Sequence, residues 1–187
     1  MRIIAGQFGS RKLLSVGKLR LRPTSDRLRE TLFNVLGPMI EGALFVDVFA
    51  GTGAVGIEAL SRGAREAVFI ESHPATLALL GKNLKRLGIV RGAEVLAVDA
   101  ERGLESLAAQ HRVADFVFLD PPYEESGEYE RVLDFLDDSH LLAPISRVIV
   151  EHASRHELPD RLTRLERTRL LEQGDAALSF YQLVLAA

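Results

Sequence analysis

Apolar residues along this chain follow two rhythms. Short unbroken runs rich in β-branched and aromatic side chains occur at 43–49, 67–71, 93–98, 116–119 and 147–151. Runs of that length with no polar alternation read as strands buried on both faces of a parallel sheet. Between them, apolar positions recur every three or four residues, which reads as helix. The first helix should follow the capping cluster Thr24-Ser25-Asp26, set Leu28, Leu32, Val35 and Leu36 on one face, and stop at Gly37-Pro38. Others are expected up to about Leu60 before Arg62-Gly63, over Pro74–Leu87 before Gly88, near 101–110 and over 128–137. Strands alternating with helices imply an α/β fold with right-handed crossovers and helices on both faces of the sheet. Residues 165–172 and 177–185 flank Gly174-Asp175 and predict a closing hairpin that adds antiparallel strands at one edge. At the other end of the chain, 2–6 and 12–16 are short β-like pieces around Phe8-Gly9-Ser10, so a small hairpin is expected.

Composition narrows the chemistry. With 187 residues, 47% of them apolar, the chain suits one domain with an appendage. It has no cysteine, which removes disulfides, thiolate metal sites and cysteine nucleophiles. His111, His140, His152 and His156 lack metal-ligand spacing, so no metal is expected. No apolar run reaches bilayer length, and the expectation is a soluble cytoplasmic protein without a membrane role. Charge is unevenly spread. Residues 1–29 hold eight basic groups against Asp26 alone, a balance of +7 in a chain of net charge −3, which leaves −10 for the rest. A basic arm on an acidic body suits a polyanionic partner such as RNA. For Arg22, Arg27 and Arg29, phosphate contact competes with pairing to Asp26 or Glu30 on the same helix.

Two stretches carry candidate chemistry. Gly51-x-Gly53-x-x-Gly56 follows the first buried strand and opens a helix, and Glu71 ends the next strand twenty residues after Gly51. Glycines there let the backbone pass close to a ligand, and an acid at that spacing holds ribose hydroxyls, so a nucleotide-like cofactor is expected. It could be a dinucleotide or S-adenosylmethionine. Asp47, four residues before the first glycine, could face a cationic amino group and would oppose a pyrophosphate. Asp99 could accept from an adenine amine, or simply cap the following helix. His73 reads as a surface helix start. The second stretch is Phe116-Val-Phe-Leu-Asp120-Pro-Pro-Tyr123, a strand stopped by two prolines that supply no N–H to the sheet. A carboxylate, a free carbonyl and an aromatic ring at the carboxyl end of a strand suit a planar group bearing an NH2.

The order Asp47-Val-Phe-Ala-Gly-Thr-Gly-Ala-Val-Gly56, Glu71, Asp99, Asp120-Pro-Pro-Tyr123 resembles class I S-adenosylmethionine-dependent methyltransferases that alkylate exocyclic amines. Met1-Arg-Ile-Ile-Ala-Gly6 with Arg22-Pro-Thr-Ser-Asp-Arg-Leu-Arg-Glu-Thr-Leu-Phe-Asn34 is similar to the bacterial 16S rRNA guanine-N2 methyltransferases that act on the head of the small ribosomal subunit. The likeness runs through Ser179-Phe-Tyr181, whereas about 155–169 matches no motif. It implies a Rossmann-like, mostly parallel seven-stranded sheet, with 1–22 a basic hairpin extension and 23–187 the methyltransferase domain. It implies cofactor contacts from Asp47, Phe49, Ala50, Gly51, Thr52, Gly53, Glu71, Ser72, Asp99 and Ala100, and catalysis by Asp120, Pro121, Pro122 and Tyr123. RNA contacts would come from Arg2, Arg11, Lys12, Arg22 and Arg27, with the enzyme a monomer on 16S rRNA or the small subunit. Three rivals remain on the residues alone: an NAD-dependent oxidoreductase, an adenine-N6 methyltransferase sharing the Asp-Pro-Pro-Tyr chemistry, and a non-catalytic RNA-binding assembly factor.

Overall fold

A computed structural model describes residues 1–15, 25–122 and 127–184. The expectations for Arg22, Tyr123 and the ends of the hairpins at Val16 and Leu185 lie outside the described residues. In chain order the elements are α1 (Asp26–Leu36), a 3-10 turn (Gly37–Ile40), β1 (Leu44–Val48), α2 (Ala54–Ser61), β2 (Glu66–Ile70), α3 (Pro74–Leu87), β3 (Ala93–Leu96), α4 (Ala100–Ala109), β4 (Ala114–Leu119), α5 (Gly127–Asp138), β5 (Leu142–Ala153), β6 (Leu165–Gln173) and β7 (Ala176–Leu183).

The seven strands form one sheet in the order β3-β2-β1-β4-β5-β7-β6. β1 to β5 are parallel, and β7 inserts antiparallel between β5 and β6. Successive residues of each buried strand serve opposite layers. Leu44, Val46 and Val48 pack with Leu104 and Leu107 of α4 and Val132 and Leu136 of α5. Phe45 packs with Leu28, Leu32, Phe33 and Leu36 of α1 on the other face. On that same face, Ala67 and Phe69 join α2, α3 and the amino-terminal Ile3 and Leu13. β1, β2 and β4 are almost wholly buried because both faces of the sheet are covered there.

Ser25 caps α1, its side chain accepting from Leu28 N–H, and Gly37 ends the helix as its spacing predicts. β5 runs from Leu142, well before the expected Arg147. The register with β4 shifts between Ala114 and Phe116, and Ser146 Oγ accepts from Ala143 N–H and donates to the Ala114 carbonyl, bridging the irregularity. The unmatched region 155–169 is pinned to the body. The buried Asp137 carboxylate accepts the N–H groups of Thr163, Arg164 and Leu165, and Tyr181 O–H donates to the Pro159 carbonyl.

Residues 1–15 pair with themselves at a single antiparallel bridge, Arg2 with Lys12, rather than as a two-stranded ribbon. Further backbone groups of this arm bond to the body. Ile4 and Ala5 N–H donate to the Glu58 carboxylate of α2 at 2.7 and 3.0 Å. Phe8 N–H donates to Ser61 Oγ, which donates in turn to the Ala5 carbonyl. At Gly6 the backbone crosses α2 so closely that a Cβ would sit 1.8 Å from the Ser61 carbonyl oxygen. All eight residues of α2 are buried, Glu58 among them, because the sheet covers one side and this arm the other.

Candidate active site

Register aligns the carboxyl ends of β2, β1 and β4 with Val150 inside β5. Val48 pairs with both Ile70 and Leu119, and Leu119 with Val150. Phe49, Glu71 and Asp120 therefore leave the sheet at one level, beside Glu151 within β5, and that level is where open α/β sheets bind ligands.

The loop after β1 is built under tension and held from outside. Phe49 has φ 64°, a left-handed conformation that costs a bulky side chain on the order of 1 kcal/mol or more. Ala50 N–H donates to the Ile70 carbonyl, and Gly53 N–H to the Ala50 carbonyl. Gly51 N–H donates to Glu71 Oε2 at 2.7 Å, while Glu71 Oε1 accepts from His73 N–H. Asn83 of α3 donates to the Thr52 carbonyl at 3.0 Å, and the same amide exchanges two hydrogen bonds with the backbone of Leu14 in the arm. The two glycines do different work. A Cβ on Gly51 (φ 55°) would meet only the Phe49 carbonyl, at 3.9 Å, so its open side is where a ligand can approach. A Cβ on Gly53 (φ 79°) would sit 2.3 Å from Leu80 Cδ1. Gly53 is thus required by α3 inside the protein, whereas the motif alone suggests it guards ligand approach.

Asp47 lies within β1 rather than at its end. It is buried, and its Oδ2 accepts Gly56 N–H at 2.8 Å under the first turn of α2. Burial pushes its carboxyl up to about 7; the Gly56 hydrogen bond opposes this and the Glu71 carboxylate adds to it. A buried acid poised near neutrality beside a carboxylate suits a cationic group in its neighbourhood. Asp99 caps α4, accepting from Arg102 N–H at 2.9 Å, so of its two readings the structural one is observed. Ala100 behind it is buried, as are Ala50 and Thr52, whereas Ser72 is exposed. His73 caps α3 through its ring, accepting from Ala75 N–H.

Across β1, Asp120 is half-buried at the exit of β4, Pro121 is buried and Pro122 exposed. Glu151, one step past the paired Leu119 and Val150, is buried beside this exit and has no role in the sequence reading. Its only signal there is an acid closing the apolar run Val148-Ile-Val150. Arg29 decides between the two alternatives its sequence position offers. Its guanidinium is fully buried, and one nitrogen donates to the Arg2 carbonyl at 2.6 Å and to Asp26 at 2.8 Å, so the pairing alternative holds and RNA contact does not. Nε and the other terminal nitrogen have no hydrogen-bond partner among the described residues. Burial lowers its pKa, while Asp26, Glu58 and Glu151 hold the charge in place. Arg2, Arg11, Lys12 and Arg27 are exposed, with Arg2 3.8 Å from Asp26. Both ring nitrogens of the buried His152 are satisfied: Nδ1–H donates to the Ala153 carbonyl and Nε2 accepts from Ser179. Among the described residues no group of three acids or histidines is placed to hold a metal, and no helix is long and apolar enough to cross a membrane.

Residues 1–182 match the protein family described as "Conserved hypothetical protein 95". The chain belongs to that family. Among its relatives, ribosomal RNA small subunit methyltransferase D of Escherichia coli K12 is 39% identical over 182 residues, covering 97% of this chain and 89% of the relative. The Haemophilus influenzae protein of the same name is 35% identical over 185 residues, covering 98% and 92%. Among solved structures, the Escherichia coli protein yhhF, a putative methyltransferase by its description, superposes with a TM-score of 0.82 at 38% identity, covering 98% of this chain and 97% of that one. A Thermus thermophilus protein, TTHA0928, superposes at 0.79 with 29% identity and 98% and 99% coverage. The family and its structures place the sheet of this chain in the class I methyltransferase fold.

Proposed function

We propose that this protein transfers a methyl group from S-adenosylmethionine to the exocyclic N2 of a guanine in 16S ribosomal RNA, acting as a monomer in the cytoplasm. The observation that carries the reading is the common level of the Gly51 loop with Glu71 on one side of β1 and Asp120-Pro121 on the other. A cofactor cradle and an amine acceptor then face one cleft. The relatives' names, methyltransferases of small-subunit rRNA, support the substrate class. The guanine-N2 choice rests on the likeness of 22–34 to that family, since an adenine-N6 enzyme would share the Asp-Pro-Pro-Tyr exit.

The residues present fit this cofactor. Gly51 offers an open backbone face, and each Glu71 oxygen keeps a lone pair for a ribose hydroxyl after its backbone bond. An ammonium near Asp47 would draw that carboxyl back toward its ionised form. When bound, S-adenosylmethionine supplies an electrophilic methyl group on a sulfonium that departs as a neutral thioether.

The rest belongs to the chain. Guanine N2 is a weak nucleophile because its lone pair is delocalised into the ring. Asp120 accepts one amine hydrogen and the Pro121 carbonyl the other, which turns the lone pair toward the methyl group. Holding reactants aligned is the main contribution of such a site. The nitrogen becomes acidic as its fourth bond forms. Asp120 either takes the released proton or stabilises it on its way to water. Tyr123 would stack on the extruded base. Tritium transfer from labelled S-adenosylmethionine to rRNA and to small ribosomal subunits from a strain lacking the modification, followed by nucleoside analysis, tests the assignment. Label in N2-methylguanosine is expected; label in N6-methyladenosine, or none, overturns it.

A further inference from the structure

The exposed cations of the arm do not stand alone. Arg11 and Lys12 share a surface depression of about 350 Å³ with Arg86 and Leu87 of α3. On α3, Lys82, Lys85 and Arg86 are exposed, while the intervening Asn83, Leu84 and Leu87 are buried, so the three charges share one helix face. The chain holds no acid anywhere from 74 to 93, in a body that is otherwise strongly acidic. Among the described residues none of Arg11, Lys12, Lys82, Lys85 and Arg86 forms an ion pair. The opposite face behaves otherwise: Arg102 pairs with Asp99 at 3.6 Å and Arg131 with Glu128 at 2.9 Å. Lys85 and Arg86 also complement the carboxyl end of the α3 dipole, but that accounts for neither Lys82 nor the arm's convergence on Arg86.

The geometry points to a second RNA-contacting surface, formed by the α3 face Lys82, Lys85 and Arg86 together with Arg11 and Lys12, that grips backbone phosphates away from the reacting base. This inference rests on the proposed RNA substrate and extends it. The chemistry fits phosphate rather than base recognition, because the surface presents cations and Phe8 lies half-buried beneath the Arg11 guanidinium, 5.8 Å from ring centroid to carbon. Its position sets its purpose. The end of α3 lies by the amino ends of the strands, where Ala67 N–H bonds the Gly92 carbonyl, while Asp120 lies at the carboxyl ends. A strand length of roughly 16 Å separates the two levels. An RNA touching both must run along the side of the molecule.

The test compares the intact enzyme with a K82Q/K85Q/R86Q variant, using filter binding over a salt series with an undermethylated 16S rRNA head domain. On the domain the variant should lose affinity, and its salt slope should flatten by about two to three, roughly one per lost phosphate contact. R102Q/R131Q, on the opposite face, should leave the slope unchanged. Helix content by circular dichroism and S-adenosylmethionine affinity confirm that the substituted α3 is folded. An unchanged slope on the domain, or an equal flattening in R102Q/R131Q, overturns the surface. If the intact enzyme methylates the domain while the slope stays unchanged, this surface fails and the proposed activity stands. If the intact enzyme transfers no methyl group at all, the activity itself fails.

Discussion

The turn after β1 and the turn after β4 leave neighbouring strands at the same level, yet they are made rigid by opposite means. The first contains Gly51 and Gly53 and a left-handed Phe49, all conformationally costly. It keeps its shape because Glu71, Asn83 and the Ile70 carbonyl hold it from outside. The second owes its stiffness to the covalent rings of Pro121 and Pro122, which need no partner to fix φ. The cofactor side of the cleft should therefore respond to substitutions far along the chain, whereas the backbone of the amine side is set by its own prolines.

The sharpest way to break that contrast is Asp120→Ala. Methyl transfer should fall on the order of a hundredfold or more, as for loss of a positioned proton acceptor, with S-adenosylmethionine affinity nearly unchanged. Single-turnover kinetics with calorimetry on the same variant separates the two quantities, and a parental rate would dismiss the amine-side assignment. Next in size is Gly53→Val, which combines a left-handed φ with a Cβ placed 2.3 Å from Leu80 Cδ1. Overpacking and strain together should cost about 2–4 kcal/mol of stability, read as a lowered Tm. Pairing it with Leu80→Ala should recover the packing part. Gly51→Ala meets no such obstacle and should cost about 1–2 kcal/mol, so equal losses at the two glycines would contradict the distinction drawn between them.

Asp47→Asn tests the buried acid through pH. The native carboxyl is raised to about 7 from 3.8, so its stabilising share is complete below the ordinary value and is lost as pH climbs through about 7. The asparagine variant lacks that dependence. Denaturant melts should show it gaining on the parent between about pH 4 and 7 and keeping the gain above that window, while its cofactor affinity falls. In the parent, cofactor binding near neutral pH should release protons, visible as a buffer-dependent binding enthalpy. The smallest effect is expected for Asn83→Ala. Freeing the Thr52 carbonyl and Leu14 should weaken S-adenosylmethionine binding about threefold to tenfold, the value of one hydrogen bond, without touching the single-turnover rate at saturation. An undiminished affinity would mean the glycine loop holds its shape unaided.

What the sequence reveals divides along the same line. The buried strands, the glycine turn, Glu71 and the Asp120 exit are legible because each is written in a few consecutive residues. Arg29, Glu58, Asn83 and Glu151 are not, because a polar residue on a helix or at a strand end normally faces water, and what buries each of these lies far off in sequence. Glu58 meets Ile4 across 54 positions and Asn83 meets Leu14 across 69. The early start of β5 is hidden for another reason: Pro144 argues against a strand unless one knows that a bulge relieves it. Asp99 shows the limit of a residue with two good uses, since a cap and an adenine acceptor look the same in one dimension.

Residues 1–15 leave the ribosome ahead of everything they bind. Their partners Glu58, Ser61 and Asn83 emerge more than fifty residues behind them. At about 5–20 residues per second of synthesis, several seconds pass in which a positively charged segment has no acidic cradle to enter. When α2 follows, the face it hides from solvent in the finished protein is bare until the arm, already made, lies over it. The arm is in this sense the last piece of the amino-terminal half to fold, though it is made before its partners, and its arrival closes the layer beneath the cofactor loop.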